Sequence, residues 1–495
     1  RPAIRTTSGW CRTTTTTRCP GWRWPELRTT GDLSVPFKEV ERRFGDRIPT
    51  LSGLMTAGWA QHPVCTPNLL ADKFAADRLL PTAEKLATLA RLADPAYVYP
   101  VKEFRRAWDA LICNDEHGYG TSYYKGRPVY DTWMQKRDWI AQAARTAAVE
   151  SDRALRSIAS NVPAPSPSVL VFNPTLQARC ETVEAELPEA CAGLFTVRCP
   201  DGKTAFAVSE GRKVRFRTTE IPPLGYAMFA LERGTAPASA VAPAAESPLL
   251  ENAFYRVAFD KDGAISSLFD KQLGRELIDA HAACRCNQLV YSKDRNKTFV
   301  SPKQAAFAVE SSALEQTVVA TLSDPATQAE IVQRVTLPTH EKRIDIDNRL
   351  SHVRDLGNVK RWDRFGYYAF PFAVPRGEFR VGLNGCHARA YADQTGLTTD
   401  TYHAARDRAY VGNGQFGVAL VQLDSTLIEC GKIHALKRTF GEKPENAHLY
   451  SYAFTDWLYA HAYATGPSHI NLRFRYSIRS HAGLFADAQV PQFAE

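Results

Sequence analysis

Hydrophobic positions in the first third of the chain recur at helical spacing. In three stretches between residues 51 and 160, apolar side chains return every three or four residues, as on the buried face of an amphipathic helix. The positions are Leu70, Phe74, Leu80, Ala83, Leu86, Ala87 and Ala90; then Phe104, Trp108, Leu111 and Ile112; then Tyr130, Trp133, Ile140, Ala144, Ala148, Leu155 and Ile158. Because each apolar stripe needs a partner to cover it, the pattern predicts a three-helix bundle domain over residues 51–160.

After residue 160 the hydrophobic period changes from helical spacing to strict alternation. Prolines at 163, 165 and 167 cannot continue a helix, and short strands follow, among them 169–172 and 214–217. We expect a small β domain over residues 161–245. Its end overlaps an Ala/Pro/Ser-rich stretch, residues 234–248, whose low complexity is typical of a linker.

The rest of the chain reads as short strands separated by frequent turns. Residues 254–259 and 264–269 predict a hairpin whose turn contains Asp260 and Asp262. A calcium loop would need further ligands after these two aspartates, and none follow, so we interpret them as turn-forming residues. Further strands are predicted at 318–322, 419–423 and 472–478. We expect a large antiparallel β-sandwich over residues 246–495, so that the fold class is α+β and multidomain.

Residues 1–32 do not have the pattern of a folded segment. They contain five consecutive threonines, Thr13 to Thr17, and almost no apolar periodicity. They are interpreted either as a disordered tail or as a segment translated out of frame. Because the chain starts at Arg1 rather than at a methionine, we expect it to be incomplete at its N-terminus. Residues 33–50 then predict one short helix that stops at Gly45.

Composition excludes several classes of protein. The 495 residues are 44% hydrophobic and carry a net charge of +8 without a long basic run, which gives little support to nucleic-acid binding. No apolar stretch is long enough to span a membrane. The eleven cysteines are odd in number and contain no CxxC pair, so a disulfide framework is not expected, and Cys284 and Cys286 lack the further ligands of a metal site.

The candidate chemistry lies where the second predicted helix ends. The stretch Asn114-Asp115-Glu116-His117-Gly118-Tyr119-Gly120 places two carboxylates and an imidazole at a break that the glycines allow. These groups can ligate a metal ion or move a proton, and they lie where the helical and the β-rich regions adjoin. From spacing alone, a solvated helix end with a surface histidine is the favoured alternative.

Several segments in order resemble glycoside hydrolase family 38 α-mannosidases. They are residues 114–120, the strand Val171-Phe172-Asn173-Pro174, the stretch Ile221-Pro222-Pro223-Leu224-Gly225-Tyr226, and the hairpin that runs from Glu251 to Lys271. The strand 472–476 fits the pattern less specifically. The resemblance covers about residues 33–485, and the hairpin is its most specific part.

The resemblance implies zinc-dependent, retaining hydrolysis of terminal α-mannosyl residues. In the family, zinc is held by one histidine and two aspartates of an N-terminal catalytic barrel and by one histidine of the bundle, which His117 resembles. No segment matches the barrel motifs, so residues 33–50 are expected to be the end of that domain. Asp115 and Glu116 are weak candidates for facing the sugar. The nucleophile and the acid/base have no counterpart.

The expected activity is therefore that of an α-mannosidase portion that is inactive alone. Its partner would be an α-mannoside oligosaccharide or glycan, and neither nucleic acid nor a membrane is an expected partner. The expected location is the cytoplasm. A homo-oligomer is possible. One alternative is a non-catalytic carbohydrate-binding or scaffold protein built from the bundle and the sandwich. Another is a different sugar-active enzyme with a similar sandwich, which leaves the bundle motif unexplained.

Overall fold

A computed structural model describes most of the chain beyond residue 33. The described residues are 34–50, 52–54, 64, 66–115, 127–164, 167–191, 193–234, 240–243, 247–292, 298–324, 329–353, 365–383, 385–395, 398, 401–434, 443–455, 470–486, 490 and 493. The chain divides into two compact units, residues 1–52 and residues 53–495. The interpretation of residues 1–32 falls outside the described part.

The structure contains four described α-helices, and the last three belong to the second unit. Their bounds are α1 Ser34–Phe44, α2 Pro67–Ala93, α3 Val101–Asn114 and α4 Arg127–Ser160, with a 3-10 turn at Gly45–Arg47 after α1. Helices α2, α3 and α4 share one apolar core. Along α2 and α4 that core is lined by fully buried alanines, among them Ala83, Ala87 and Ala143. Small side chains let helices approach closely.

The next region contains two small antiparallel sheets. Its strands are β1 Ser168–Phe172, β2 Thr182–Glu186, β3 Phe195–Arg198, β4 Ala207–Glu210, β5 Lys213–Arg217 and β6 Tyr226–Arg233. The sheet orders are β1-β6-β3 and β2-β5-β4. Alternate residues of both sheets, such as Val197, Phe216 and Phe229, enclose one core, as the two-residue period of the sequence requires.

Asn173 joins two of the sequence motifs inside this region. Its buried side-chain amide donates to the carbonyl oxygens of Ile221 and Pro222, both at 3.1 Å, and of Gln177 at 2.7 Å. Its side-chain oxygen accepts from the backbone N–H of Thr175 at 3.0 Å. The strand that ends at Asn173 and the turn that precedes Tyr226 are therefore fixed to each other by one side chain.

Within its described residues, the largest region comprises twenty strands in three antiparallel sheets. Their bounds are β7 Ala240–Pro243, β8 Leu249–Glu251, β9 Tyr255–Phe259, β10 Ile265–Asp270, β11 Arg275–Glu276, β12 Gln288–Ser292, β13 Phe299–Val300, β14 Ala306–Ser311, β15 Glu315–Asp324, β16 Ala329–Pro338, β17 Ile344–Val353, β18 Phe365–Phe372, β19 Glu378–Leu383, β20 Cys386–Arg389, β21 His403–Ala404, β22 Arg408–Gly412, β23 Phe416–Gln422, β24 Leu427–Cys430, β25 Ala447–Thr455 and β26 Ile470–Ala482. The orders are β11-β10-β9-β8, β13-β12-β18-β25-β24-β21 and β20-β19-β22-β23-β26-β17-β16-β15-β14-β7.

These sheets pack face to face as a β-sandwich. The rings of Tyr368 and Phe370 on β18 contact Tyr476 on β26, with centroid distances of 5.7 and 4.9 Å. Every residue of β18 is buried, because its opposite face enters a second apolar cluster. The α+β class is confirmed. The hairpin is present as β9 and β10, and the side chain of Asp260 accepts two backbone N–H groups of its turn, as a turn former does.

The linker prediction for residues 234–248 is wrong at its centre. Residues 240–243 form β7, which pairs antiparallel with β14 at one end of the ten-stranded sheet. A segment of low-complexity composition has few large apolar side chains with which to form a core. An edge strand, however, needs only backbone hydrogen bonds to its neighbour. Composition alone therefore missed it.

Arg343 links the small sheets to the sandwich. Its guanidinium lies 3.2 Å from Glu181, 3.1 Å from Glu341 and 2.9 Å from Asp345. Burial would raise the pKa of Glu181, but Arg343 and Arg179 outweigh it and hold that pKa below the ordinary value. Two regions far apart in sequence are thus joined by charge-assisted hydrogen bonds.

We expect Arg343→Ala to lower the free energy of unfolding by about 1–2 kcal/mol, since three carboxylates lose a shared cation that is only partly screened by solvent. Urea unfolding followed by tryptophan fluorescence measures it. Arg349→Ala, which removes a more exposed guanidinium paired with Asp347, is the control and should change stability by less than about 0.5 kcal/mol. Equal effects of the two variants would contradict the linking role of Arg343.

Two further findings concern membranes and cysteines. None of the described helices combines the length and the apolar character needed to cross a bilayer. The eight cysteines within the described residues are free thiols. Burial raises the pKa of the Cys286 thiol well above its ordinary value, which makes it unreactive.

Candidate functional site

Helix α3 leads directly into the candidate motif. Phe104, Ala107 and Leu111 on one face of the helix are buried. Ile112, which the sequence pattern placed on the same face, is exposed instead. Consecutive residues of a helix point about 100° apart around its axis, so Ile112, next to Leu111, lies outside the narrow buried stripe. The buried face fixes the direction in which α3 ends, at Asn114.

Two lysines from neighbouring helices hold the end of α3. Lys136 on α4 is fully buried and its Nζ donates to the backbone oxygen of Asn114 at 2.8 Å. Lys73 on α2 lies with its Nζ 3.1 Å from Oδ1 of Asp115. The last carbonyl groups of a helix lack partners within it and attract positive charge. The two lysines therefore stabilise the point at which the motif begins.

Asp115 is the one candidate site residue that the structure describes. It caps the C-terminal end of α3, and its side chain is 56% exposed. Its ion pair with Lys73 makes it part of the support of the helix end, and a catalytic role for it stays a prediction. Glu116 and His117 lie outside the described residues, so their roles also stay predictions.

The support continues from α2 to the β-sandwich. Asp77, one helical turn after Lys73, accepts from the Nζ of Lys73 and from the guanidinium of Arg406, both at 2.7 Å. The guanidinium carbon of Arg406 lies 3.8 Å from the centre of the Phe74 ring, a cation–π contact. The series Asp115, Lys73, Asp77 and Arg406 thus connects the motif to the sandwich.

Two further ionisable groups of α2 have shifted pKa values near this series. Burial raises the pKa of Asp72, Arg137 opposes the shift and Asp424 adds to it. Burial lowers the pKa of Arg78, and the neighbouring Arg406 lowers it further. Both groups are in a partly desolvated environment where like charges are close, an arrangement that is common at functional sites and also in structural ion-pair networks.

Sequence reasoning did not single out Lys73, Asp77 or Arg406. A signal existed for the first two, because a lysine and an aspartate four residues apart lie on one face of a helix. The sequence contained no such signal for Arg406, because Arg406 is 329 residues from Asp77 along the chain.

The described residues do not form a zinc site by themselves. Nowhere within them do three or more His, Cys, Asp or Glu side chains converge as metal ligands. A catalytic zinc ion takes about three protein ligands, and Asp115 is already paired with a lysine. The described residues alone therefore do not supply the ligand set of a catalytic zinc ion.

The comparisons with known proteins assign a class to this architecture. Residues 250–425 match the family model described as the glycosyl hydrolases family 38 C-terminal domain. They cover the strands from β9 to β23 and so include most of the sandwich. This β-rich region is thus similar to the C-terminal domain of family 38 glycosyl hydrolases.

Two solved structures have the same fold over most of the chain. One is a protein of glycosyl hydrolase family 38 from Enterococcus faecalis, with a TM-score of 0.66, 15% identity, and coverage of 92% of this chain and 61% of the other. The other is an α-mannosidase from Enterococcus faecalis V583, with a TM-score of 0.66, 15% identity, and coverage of 92% and 60%. This chain thus spans about three fifths of the length of these relatives. No curated protein sequence matches it significantly.

The similarity to glycosyl hydrolase family 38 thus lies in residues 250–425, the part of the chain that matches the family's C-terminal domain. The predicted family resemblance is confirmed, and the hairpin that carried it most specifically, residues 251–271, lies entirely within the matched region. At 15% identity the two solved structures support the fold and not the chemistry.

Proposed function

We propose that this chain is part of an α-mannosidase-type glycoside hydrolase that releases terminal α-mannosyl residues with retention of configuration, and that residues 1–495 alone are inactive. One observation supports the proposal above others. The motif-bearing end of α3 is anchored through Lys73, Asp77 and Arg406 to a sandwich that matches the family 38 C-terminal domain. Such anchoring on rigid elements is what a substrate-facing group requires.

The proposed inactivity follows from the chemistry of retaining glycosidases. They use two carboxyl groups about 5–5.5 Å apart, one as the nucleophile and the other as the acid and base. Zinc, when bound, would hold sugar hydroxyls and stabilise developing charge. Among the described residues, Asp115 is the only candidate carboxylate of the motif, and it faces Lys73. In this proposal, Lys73 and Lys136 position the helix end, and His117 contributes one of several zinc ligands.

Hydrolysis of a p-nitrophenyl α-mannoside by purified residues 1–495, with and without added zinc, tests the proposal. We expect no release of nitrophenol above the blank, while the Enterococcus faecalis α-mannosidase, as a positive control, releases it. Zinc-dependent release that His117→Ala abolishes would refute the inactivity but support the assignment of His117.

The alternative of a non-catalytic carbohydrate-binding protein makes a different prediction. It requires sugar binding without metal and without any dependence on His117. Calorimetric titration of the wild-type chain and of His117→Ala with mannose and mannobiose tests this alternative: heat that is absent in both counts against it.

A further inference from the structure

The small sheets carry an open groove that the proposed function does not use. It has a volume of about 710 Å³, within the range of about 300–1,000 Å³ that is common for ligand pockets. One wall is the outward face of β6, and the other is formed by the end of β3 and the turn after it. All of its lining residues are among those that the structure describes.

Tyr226 provides an aromatic surface on the first wall. Along β6 the side chains of Phe229 and Leu231 enter the core, while Tyr226, Met228 and Ala230 line the groove. The residue Tyr226 is 45% exposed, a large fraction for an aromatic residue. An aromatic ring held at a solvent-open groove is a platform on which a flat apolar surface can pack.

The position of Tyr226 is fixed by the turn that precedes it. The side-chain amide of Asn173 donates to the carbonyl oxygens of Ile221 and Pro222. The backbone N–H of Asn173 donates to the carbonyl oxygen of Gly225 at 2.8 Å. A Cβ atom at Gly225 would lie 2.7 Å from the ring of Pro222, so only glycine fits there. The bundle contributes as well, since Lys85 donates to the carbonyl oxygen of Pro174 at 2.7 Å.

Three charged side chains of both signs line the groove with this ring. Arg198 donates to Glu232 at 2.8 Å and to Thr204 at 2.7 Å, which uses two of its five N–H groups. Hydrogen bonds from the backbone and side chain of Lys203 lower the pKa of Asp201, so this carboxylate is ionised. Glu220 is exposed and has no hydrogen-bond or ion-pair partner among the described residues.

This chemistry suits a neutral ligand with many hydroxyl groups. Two carboxylates and one guanidinium do not attract a phosphate or a polyanion, because the three groups together carry a negative charge. Carboxylates accept hydrogen bonds from hydroxyls, and a guanidinium donates to them. A pyranose ring presents a C–H face that can pack on Tyr226 and hydroxyls around its rim for the charged groups.

We propose that the groove formed by Tyr226, Met228, Arg198, Asp201 and Glu220 binds a mannose-containing oligosaccharide. The choice of mannose rests on the proposed function, whereas the choice of a saccharide rests on the groove. Tyr226 packs on one sugar ring, and Glu220 and Arg198 hydrogen-bond its hydroxyls. The groove binds without a metal ion and carries out no bond cleavage.

Titration of the purified chain with mannotriose, followed by saturation-transfer NMR and calorimetry, tests the proposal. We expect saturable binding that Tyr226→Ala weakens at least tenfold and that Tyr226→Phe weakens less than about threefold, because phenylalanine keeps the aromatic face. Phe299→Ala is the matched control. Phe299 is 42% exposed and lies on a strand of the sandwich outside the groove, so its removal should leave binding unchanged.

Glu220→Gln gives a second measurement in case Tyr226→Ala does not fold. It alters an exposed side chain and should weaken binding about three- to tenfold while leaving the circular dichroism spectrum unchanged. Absence of mannotriose binding by the wild-type chain, or equal binding by the wild type, Tyr226→Ala and Glu220→Gln, would overturn the proposal. Hydrolysis of the aryl mannoside is a separate readout. Its absence tests the proposed function and leaves this binding measurement unaffected.

Discussion

The substitution Asp270→Ala is expected to lower the free energy of unfolding by about 3–5 kcal/mol, as removal of one partner of a buried ion pair does. Asp270 is fully buried at the end of β10. Its carboxylate lies 2.8 Å from the Nζ of Lys342 and accepts from the hydroxyl of Ser480 at 2.5 Å. That serine hydroxyl is also 2.8 Å from the hydroxyl of Tyr255.

The same carboxylate also stabilises a turn. Its second oxygen accepts from the backbone N–H groups of Gln272 and Leu273 at 2.8 and 2.9 Å. Alanine would remove these bonds together, leave Lys342 without its buried partner and leave the hydroxyl of Ser480 without its acceptor. A buried polar group without a partner is destabilising by about 1–3 kcal/mol.

Urea unfolding at pH 7 measures the effect, and Asp152→Ala provides the control. Asp152 is exposed on α4 and pairs with Arg156 at 2.7 Å, so its removal should change stability by less than about 0.5 kcal/mol. A loss below about 1 kcal/mol for Asp270→Ala would show that the buried network does not contribute as its geometry indicates.

The contribution of Asp270 should also depend on pH. Burial raises the pKa of Asp270, but hydrogen bonds from Lys342, Ser480 and the backbone of Leu273 outweigh burial, so the pKa lies below the ordinary value. The folded protein therefore binds this proton less readily than the unfolded chain does. The stabilisation is present above the ordinary pKa of about 3.9 and is lost as the pH falls below it.

The variant Asp270→Asn cannot titrate at this position and makes that dependence measurable. The difference in stability between the wild type and Asp270→Asn should narrow as the pH is lowered from 7 to about 3. A difference that stays constant over this range would contradict the lowered pKa of Asp270.

Asn173→Ala is expected to lower the free energy of unfolding by about 2–4 kcal/mol. The side chain is buried. Its amide donates hydrogen bonds to the carbonyl oxygens of Gln177, Ile221 and Pro222, and its oxygen accepts one from the backbone N–H of Thr175. Each such bond contributes about 1 kcal/mol net, and acceptors left unpaired inside the protein add to the loss.

Thermal and urea unfolding of Asn173→Ala and Asn173→Asp measure this effect. Aspartate keeps the accepting oxygen but removes the donating amide, so it should be nearly as destabilising as alanine. Asn161→Ala is the control, because Asn161 is exposed at the end of α4 and donates one bond to Ser157 at 2.9 Å. A stability of Asn173→Asp equal to that of the wild type would show that the amide bonds do not hold the turn.

The sequence by itself determined the order and kind of the elements. The change from helical spacing to alternation after residue 160 corresponds to the end of α4 and the start of β1. The strands predicted at 318–322, 419–423 and 472–478 lie on β15, β23 and β26, with Leu423 just beyond its strand. Periodicity is a local property, because it records which face of each element is covered. The family motifs, likewise local, were also readable from the sequence.

Only the tertiary structure decided which residues meet. Asp77 and Arg406 are 329 residues apart and Tyr255 and Ser480 are 225 apart, and no local pattern encodes such a pairing. The strand β7 was not predicted from the sequence, because it forms by pairing with β14 and its own composition does not indicate a strand. The groove beside Tyr226 likewise includes a turn that Asn173 holds from 48 and 49 residues away along the chain. Long-range contacts form between whole elements, and their chemistry therefore becomes visible only when those elements are packed together.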